Sequence, residues 1–163
     1  MPRGAPMRKT DDFEDNVLEI RRVTRVVAGG KRFVFRTVVV LGDRMGCVGV
    51  GLGRGKDVAS AVEKGKADAR KHVVCISLKD KRTLPYDIEV KYGAAHLRMK
   101  PAREGHGLIA GGAMRVVLDL AGVKDVTAKM LGTTTNKLNN ARATLNGLKM
   151  YADARTQKPG TEV

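Results

Sequence analysis

Tryptophan is absent from this 163-residue chain, and three phenylalanines and three tyrosines are its whole aromatic content. The core must therefore be aliphatic, built from Val, Leu, Ile, Ala and Met, with Phe33 and Phe35 expected inside it. The same scarcity argues against reading single-stranded nucleic acid by base stacking, which needs aromatics laid out on a sheet. There are only two cysteines, Cys47 and Cys75, with no CxxC spacing and no clustered histidine. Neither a zinc site nor a disulfide scaffold is expected, and a reducing compartment fits. No run approaches the roughly 20 apolar residues of a membrane span. The opening MPRGAPMRKTDDFEDN also lacks the apolar segment of a secretion signal. A cytoplasmic protein with no membrane partner is the expectation. Acidic residues are scarce as well: 17 Asp and Glu face 31 Lys and Arg, for a net charge of +14. The excess divides evenly, +7 over residues 1–78 and +7 over residues 79–163. A chain cationic throughout, rather than in one tail, seeks a polyanion.

Beta-branched residues and glycine punctuation organise the first half. Residues 1–12 read as a flexible tail. Val17–Val27 and Arg32–Leu41 read as strands joined by a hairpin at Ala28-Gly29-Gly30-Lys31, where glycine tolerates positive φ. A third strand spans Cys47–Gly53. Asp57 stands as an N-cap before a helix whose small and apolar positions are 58, 61, 62, 65 and 69. Residues 73–78 could add a short strand. Residues 13–78 thus form a β-β-β-α unit, and the charged, proline-ended 79–85 reads as a linker.

The second unit covers residues 86–151. Ile88, Val90 and Tyr92 alternate with charged neighbours, as do Leu97 and Met99. A helical stripe runs from Ala110 to Ala121, with Gly122 as its terminator. Val126, Ala128 and Met130 suggest a strand, and Leu138, Ala141, Leu145 and Leu148 line a last helix. This gives β-β-α-β-α in two layers, followed by a polar tail over 152–163. The fold class is α+β with two small domains.

Two glycine-rich stretches imitate nucleotide sites. Gly105, Gly107 and Gly111 spell GxGxxxG, but Pro101, Arg103 and Glu104 interrupt the strand-to-helix passage that a dinucleotide site requires. Asp125, about 20 residues on, reads as lying at the wrong pole of the unit. In GVGLGRGKD, Val50 and Asp57 stand where a phosphate loop needs glycine and a hydroxyl. His72, His96 and His106 belong to no triad-like spacing. No catalytic residue, metal site, cofactor or small-molecule substrate is expected.

The working part is the cationic surface. Arg21, Arg22, Arg25, Lys31, Arg32 and Arg36 gather around the first hairpin and its turn glycines Gly29 and Gly30. Arg54 and Lys56 flank the start of the first helix. Lys64, Arg70 and Lys71 extend the charge, so that hairpin and helix together form one expected cationic face. Guanidinium groups match phosphate bidentately. Recognition should rest on phosphates and folded RNA shape.

The chain also resembles a known family, the bacterial type of small-subunit ribosomal protein five. The motifs are Gly29-Gly30-Lys31-Arg32-Phe33-Val34-Phe35, then Gly46-Cys-Val48-Gly49-Val-Gly51-Leu-Gly53, then Pro101-Ala102 with Gly105 and Gly107-Leu-Ile-Ala-Gly-Gly-Ala-Met-Arg115. The resemblance spans about residues 13–151. It implies a first domain like a double-stranded-RNA-binding fold, binding to small-subunit ribosomal RNA, and contact with small-subunit proteins four and eight. A place beside the messenger path and an influence on decoding accuracy are implied too. Arg54-Gly55, His106 and Thr133–Lys137 depart from the family pattern. Within the third motif, Gly105 and Gly107 are expected to turn the chain tightly. Gly111 and Gly112 are expected to let helix and neighbour approach closely, and Arg115 to contact protein or RNA.

Overall fold

This computed structural model describes residues 13–154. Strand β1 (Glu14–Val27) and β2 (Gly30–Gly42) form a long antiparallel hairpin, turning at Ala28-Gly29 with Gly30 at φ 128°. β3 (Cys47–Gly55) continues the sheet, helix α1 (Val58–Lys71) packs across it, and β4 (Val74–Cys75) closes the order β1-β2-β3-β4. A period of two in the sequence of β3 decides which side α1 takes. Gly49, Gly51, Gly53 and Gly55 all face α1, opposite Leu41, Val39, Thr37 and Phe35 of β2. A Cβ on Gly49 would meet the Ala69 carbonyl at 2.5 Å, and one on Gly53 the Gly65 nitrogen at 2.5 Å. The glycine run is a seat for a helix backbone, which explains its false likeness to a phosphate loop. Asp57 takes the N-cap position in extended conformation, but its side chain makes no capping bond.

The second sheet holds β5 (Ile88–Tyr92), β6 (Ala95–Pro101), β7 (Leu108–Ile109) and β8 (Val126–Met130) in the order β5-β6-β8-β7. α2 (Gly112–Leu120) and α3 (Lys137–Ala154) complete it. The two-residue β7, parallel to β8, escapes sequence reading because so short a pairing has no periodicity. α2 ends as the sequence suggests: the Gly122 N–H bonds to the Asp119 carbonyl and the Val123 N–H to the Leu118 carbonyl, with Gly122 at φ 79°. The reading of 152–163 as tail is corrected in part, since α3 runs on to Ala154; residues 155–163 and the tail 1–12 lie outside the described residues.

The two sheets share one core. Val38, Val40, Val48, Val50 and Ile76 join Met114, Leu118, Leu120 and Leu148 in a single buried cluster. The joint is tight, with the Arg44 N–H donating 3.0 Å to the Leu120 carbonyl. No space for a side chain exists at Gly42, against the Leu120 carbonyl, or at Gly122, against that of Arg44. Residues 79–85 connect the sheets but are docked: Thr83 bridges to both Lys79 and Asp125, and Leu84 is 0% exposed.

One expectation is overturned outright. Cys47 and Cys75 form a disulfide, because the β3–β4 register sets them directly opposite each other. The short strand expected within residues 73–78 forms at Val74–Cys75, but its pairing with β3, and with it the juxtaposition of the cysteines, is not visible in a single sequence. Closing the α1 segment this way restricts the unfolded chain, and Cys47→Ser is expected to lower stability by roughly 2–4 kcal/mol. Urea unfolding with and without reductant checks it: reductant should destabilise the native chain and leave the variant unchanged.

Candidate nucleic-acid interface

Alternation along β1 and β2 sorts the hairpin cations onto two faces. Arg21, Arg25, Arg32 and Arg36 share the face opposite α1, joined by Arg54 of β3. Arg22 and Lys31 lie on the α1 side. The register sets Arg25 directly opposite Arg32, and Arg21 opposite Arg36, which is itself opposite Arg54. Like charges facing each other directly across strands destabilise a sheet. Arg21 has one carboxylate, Glu19 at 2.9 Å. Among the described residues Arg25, Lys31, Arg32, Arg36 and Arg54 have none.

Phe33 is 49% exposed, not in the core, and carries the Arg22 guanidinium 4.8 Å above its ring. The hairpin extends past the sheet's covered part, so its tip has nothing to be buried against; Val26 is exposed there as well. The single cationic face expected across hairpin and α1 is not what forms. Lys64, Arg70 and Lys71 are exposed on α1, beyond the sheet from the arginine rows. Arg70 and Lys71 end the helix, about 20 Å along it from Arg54 and Lys56 at its start. Lys66 is spent on Asp15 at 2.8 Å.

The glycine loop before α2 is built around Asp125, which is 2% exposed. Gly107 donates its N–H to the Asp125 carboxylate at 2.9 Å, and Arg82 donates Nε at 3.0 Å. The Thr83 hydroxyl donates to the Asp125 carbonyl at 2.6 Å. Asp125 thus sits at the loop itself, which corrects its expected place at the far pole. Its carboxylate occupies the N–H group that a pyrophosphate would need. A cavity of about 330 Å³ lies alongside, lined by Arg82, Thr83, Pro101, Arg103, Glu104 and Asp125, with Arg82 paired to Glu104 at 2.7 Å.

Gly105 and Gly107 take φ of 83° and 79°. The close approach expected at the next pair is absent. A Cβ on Gly112 would meet nothing within 4 Å, and one on Gly111 only Met130 at 3.9 Å. Gly111 is the N-cap of α2, and Gly112, at φ 26°, is an exposed first residue. Arg115 is exposed in the first turn of α2. Among the described residues no cluster of His, Cys, Asp and Glu could hold a metal ion, and no helix is long and apolar enough to cross a membrane.

The Gly107 N–H, reinforced by Arg82, holds the Asp125 carboxyl below the usual carboxylate range, against burial that pushes it up. A lowered folded value stabilises the fold above the unfolded value near pH 4 and is lost as pH falls through the folded one. Asp125→Asn is therefore expected to melt at lower temperature than the native chain at pH 7. The gap should close progressively below about pH 4, as thermal melts across pH would show.

Comparison with known proteins agrees with this architecture. Residues 13–77 match the family model "Ribosomal protein S5, N-terminal domain" and residues 90–158 match "Ribosomal protein S5, C-terminal domain". The small ribosomal subunit protein uS5c of Cyanophora paradoxa is 50% identical over 140 residues, 86% of this chain and 82% of that one. The uS5 protein of Trichormus variabilis is 48% identical over 141 residues, 86% and 80% of the two chains. The uS5c protein of Spinacia oleracea is 50% identical over 135 residues, 83% of this chain but 44% of its own length. The chain belongs to the ribosomal protein S5 family, whose members are structural, non-catalytic components of the small ribosomal subunit.

Proposed function

We propose that this chain is a structural part of the small ribosomal subunit and binds ribosomal RNA chiefly through the β1–β2 hairpin. One observation carries the reading: arginines stand directly opposite arginines across β1, β2 and β3, with a single carboxylate paired to them among the described residues. That arrangement costs stability in the free protein, and a polyphosphate is the partner that reverses the sign. In this reading the hairpin tip, Gly29 to Arg32, reaches into folded RNA, with Arg54 and Lys56 beside it. The shared core keeps the two units in fixed register, so that the far unit presents Arg115 and the glycine loop to neighbouring proteins. Proteins four and eight of the small subunit are the proposed neighbours, beside the messenger path, where the chain supports decoding accuracy. It works in the ribosome, in the cytoplasm.

Sedimentation tests this. The full chain should co-migrate with small subunits at moderate salt, and a chain that sediments alone would point to a free-standing RNA regulator instead. Saturable nucleotide uptake in equilibrium dialysis would contradict the non-catalytic role.

A further inference from the structure

We propose that Arg21, Arg36 and Arg54 form one phosphate subsite, distinct from the hairpin tip. The proposal rests on the RNA-binding reading and narrows it to a position. The three residues stand in one cross-strand row on one face of the sheet. Strands lie about 4.8 Å apart, so the outer two Cα atoms are roughly 10 Å apart, a gap that three long side chains can close over one group. A phosphodiester offers two free oxygens, enough for a forked guanidinium and single bonds from its neighbours.

The row is bounded on both sides. Above it, the next step toward the hairpin turn on this face is Val23 opposite Val34. Below it, Glu19 stands opposite Val38, and its carboxylate, only 17% exposed, holds Arg21 at 2.9 Å. Further down, Val40 and Val50 are buried beneath the second unit. Lys137, the first residue of α3, donates to the Leu18 carbonyl at 3.4 Å, one residue from Glu19. The row therefore sits at the rim where the second unit stops covering the sheet. Arg36 is half-buried and has no carboxylate partner among the described residues. Arg25 and Arg32 lie four residues up the same face, about 14 Å away, too far for one phosphate to serve both rows.

Phosphate, rather than a carboxylate-bearing peptide, is the occupant favoured here. Glu19 already pairs with Arg21, and among the described residues Arg36 and Arg54 have no carboxylate partner. The row is also continuous in charge with the hairpin tip.

Binding of the full chain to small-subunit ribosomal RNA, followed against salt, reads the number of phosphates engaged. Each contributes about 0.7–0.9 to the slope of log affinity against log salt. The triple variant Arg21→Gln, Arg36→Gln, Arg54→Gln should lose about one phosphate's worth, and Arg36→Gln alone no more than that. A loss near three phosphates' worth in the triple variant would mean separate contacts and overturn the subsite. An unchanged slope in the triple variant, with a reduced slope in Arg25→Gln, Arg32→Gln, would also overturn it while leaving RNA binding intact. A flat slope for the native chain would remove the RNA reading itself.

A second measurement needs no RNA. Inorganic phosphate at fixed ionic strength should raise the melting temperature of the native chain, by preferential binding to the folded state, and not that of the triple variant. Equal stabilisation of both would count against the row. In the absence of phosphate, Arg36→Gln should melt no lower than the native chain, because it relieves two like-charge oppositions; a lower melt would assign Arg36 a structural role.

Discussion

Replacing Gly53 with valine is expected to cost more than about 4 kcal/mol and to detach α1 from the first sheet. A Cβ at this position falls against the Ala61 carbonyl, the Gly65 nitrogen at 2.5 Å and the Ala61 carbonyl carbon at 3.0 Å. All three are helix backbone, so no side chain can swing away. Relief requires α1 to lift, and lifting it also breaks the contacts that Gly49 and Gly51 make with Ala69. The Thr37 hydroxyl would lose its acceptor as well, since it donates 2.9 Å to the Ala61 carbonyl while 0% exposed. Gly112→Leu provides the contrast. Nothing stands within 4 Å of a Cβ there, so its cost is confined to an unfavourable φ of 26°. Denaturant unfolding of both variants checks the pair; a milder effect at Gly53 than at Gly112 would show that the glycine run is not the seat of the helix.

The second large effect concerns RNA. Arg25→Gln, Lys31→Gln and Arg32→Gln together remove the charge of the hairpin tip, where no carboxylate lies within reach among the described residues. If each residue holds its own phosphate, the salt slope falls by roughly 2–3. That change corresponds to a loss of roughly 20–60-fold in the affinity gained on lowering salt from about 200 to 50 mM. The free protein should be as stable as the native chain or more so, because Arg25 and Arg32 oppose each other directly. Filter binding alongside thermal melting would separate the two effects. A control is Lys91→Gln with Lys129→Gln, which removes two charges exposed on the second sheet, where little change in RNA binding is expected.

Much of the fold was legible because its signals are local. The hairpin shows in Ala28-Gly29-Gly30-Lys31, α1 in the spacing of Ala61, Gly65 and Ala69, and the end of α2 in Gly122. What stayed hidden depends on contacts between distant segments. Cys47 and Cys75 pair only because a two-residue β4 returns beside β3. Asp125 looked like a failed nucleotide ligand, yet it fastens the connector to the glycine loop through Arg82 and Gly107.

The cationic surface was legible as composition and not as geometry. The arginines of β1 and β2 could be found by counting. That they oppose one another, and that α1 turns its own cations to the other side, follows from register and sidedness, which a single sequence does not display. The close-packing glycines were likewise misplaced. Gly111 and Gly112 stand out as a pair in the sequence, but Gly51, Gly53 and Gly65 are where backbones meet.

The central claim is that this protein is held to folded RNA by phosphates engaged on its arginine-bearing sheet. Its most direct test is the affinity of the full chain for small-subunit ribosomal RNA as salt rises from about 50 to 200 mM. With about 6–10 phosphates engaged, affinity should fall roughly 10³–10⁵-fold over that range. An affinity that stays level across it would contradict the account.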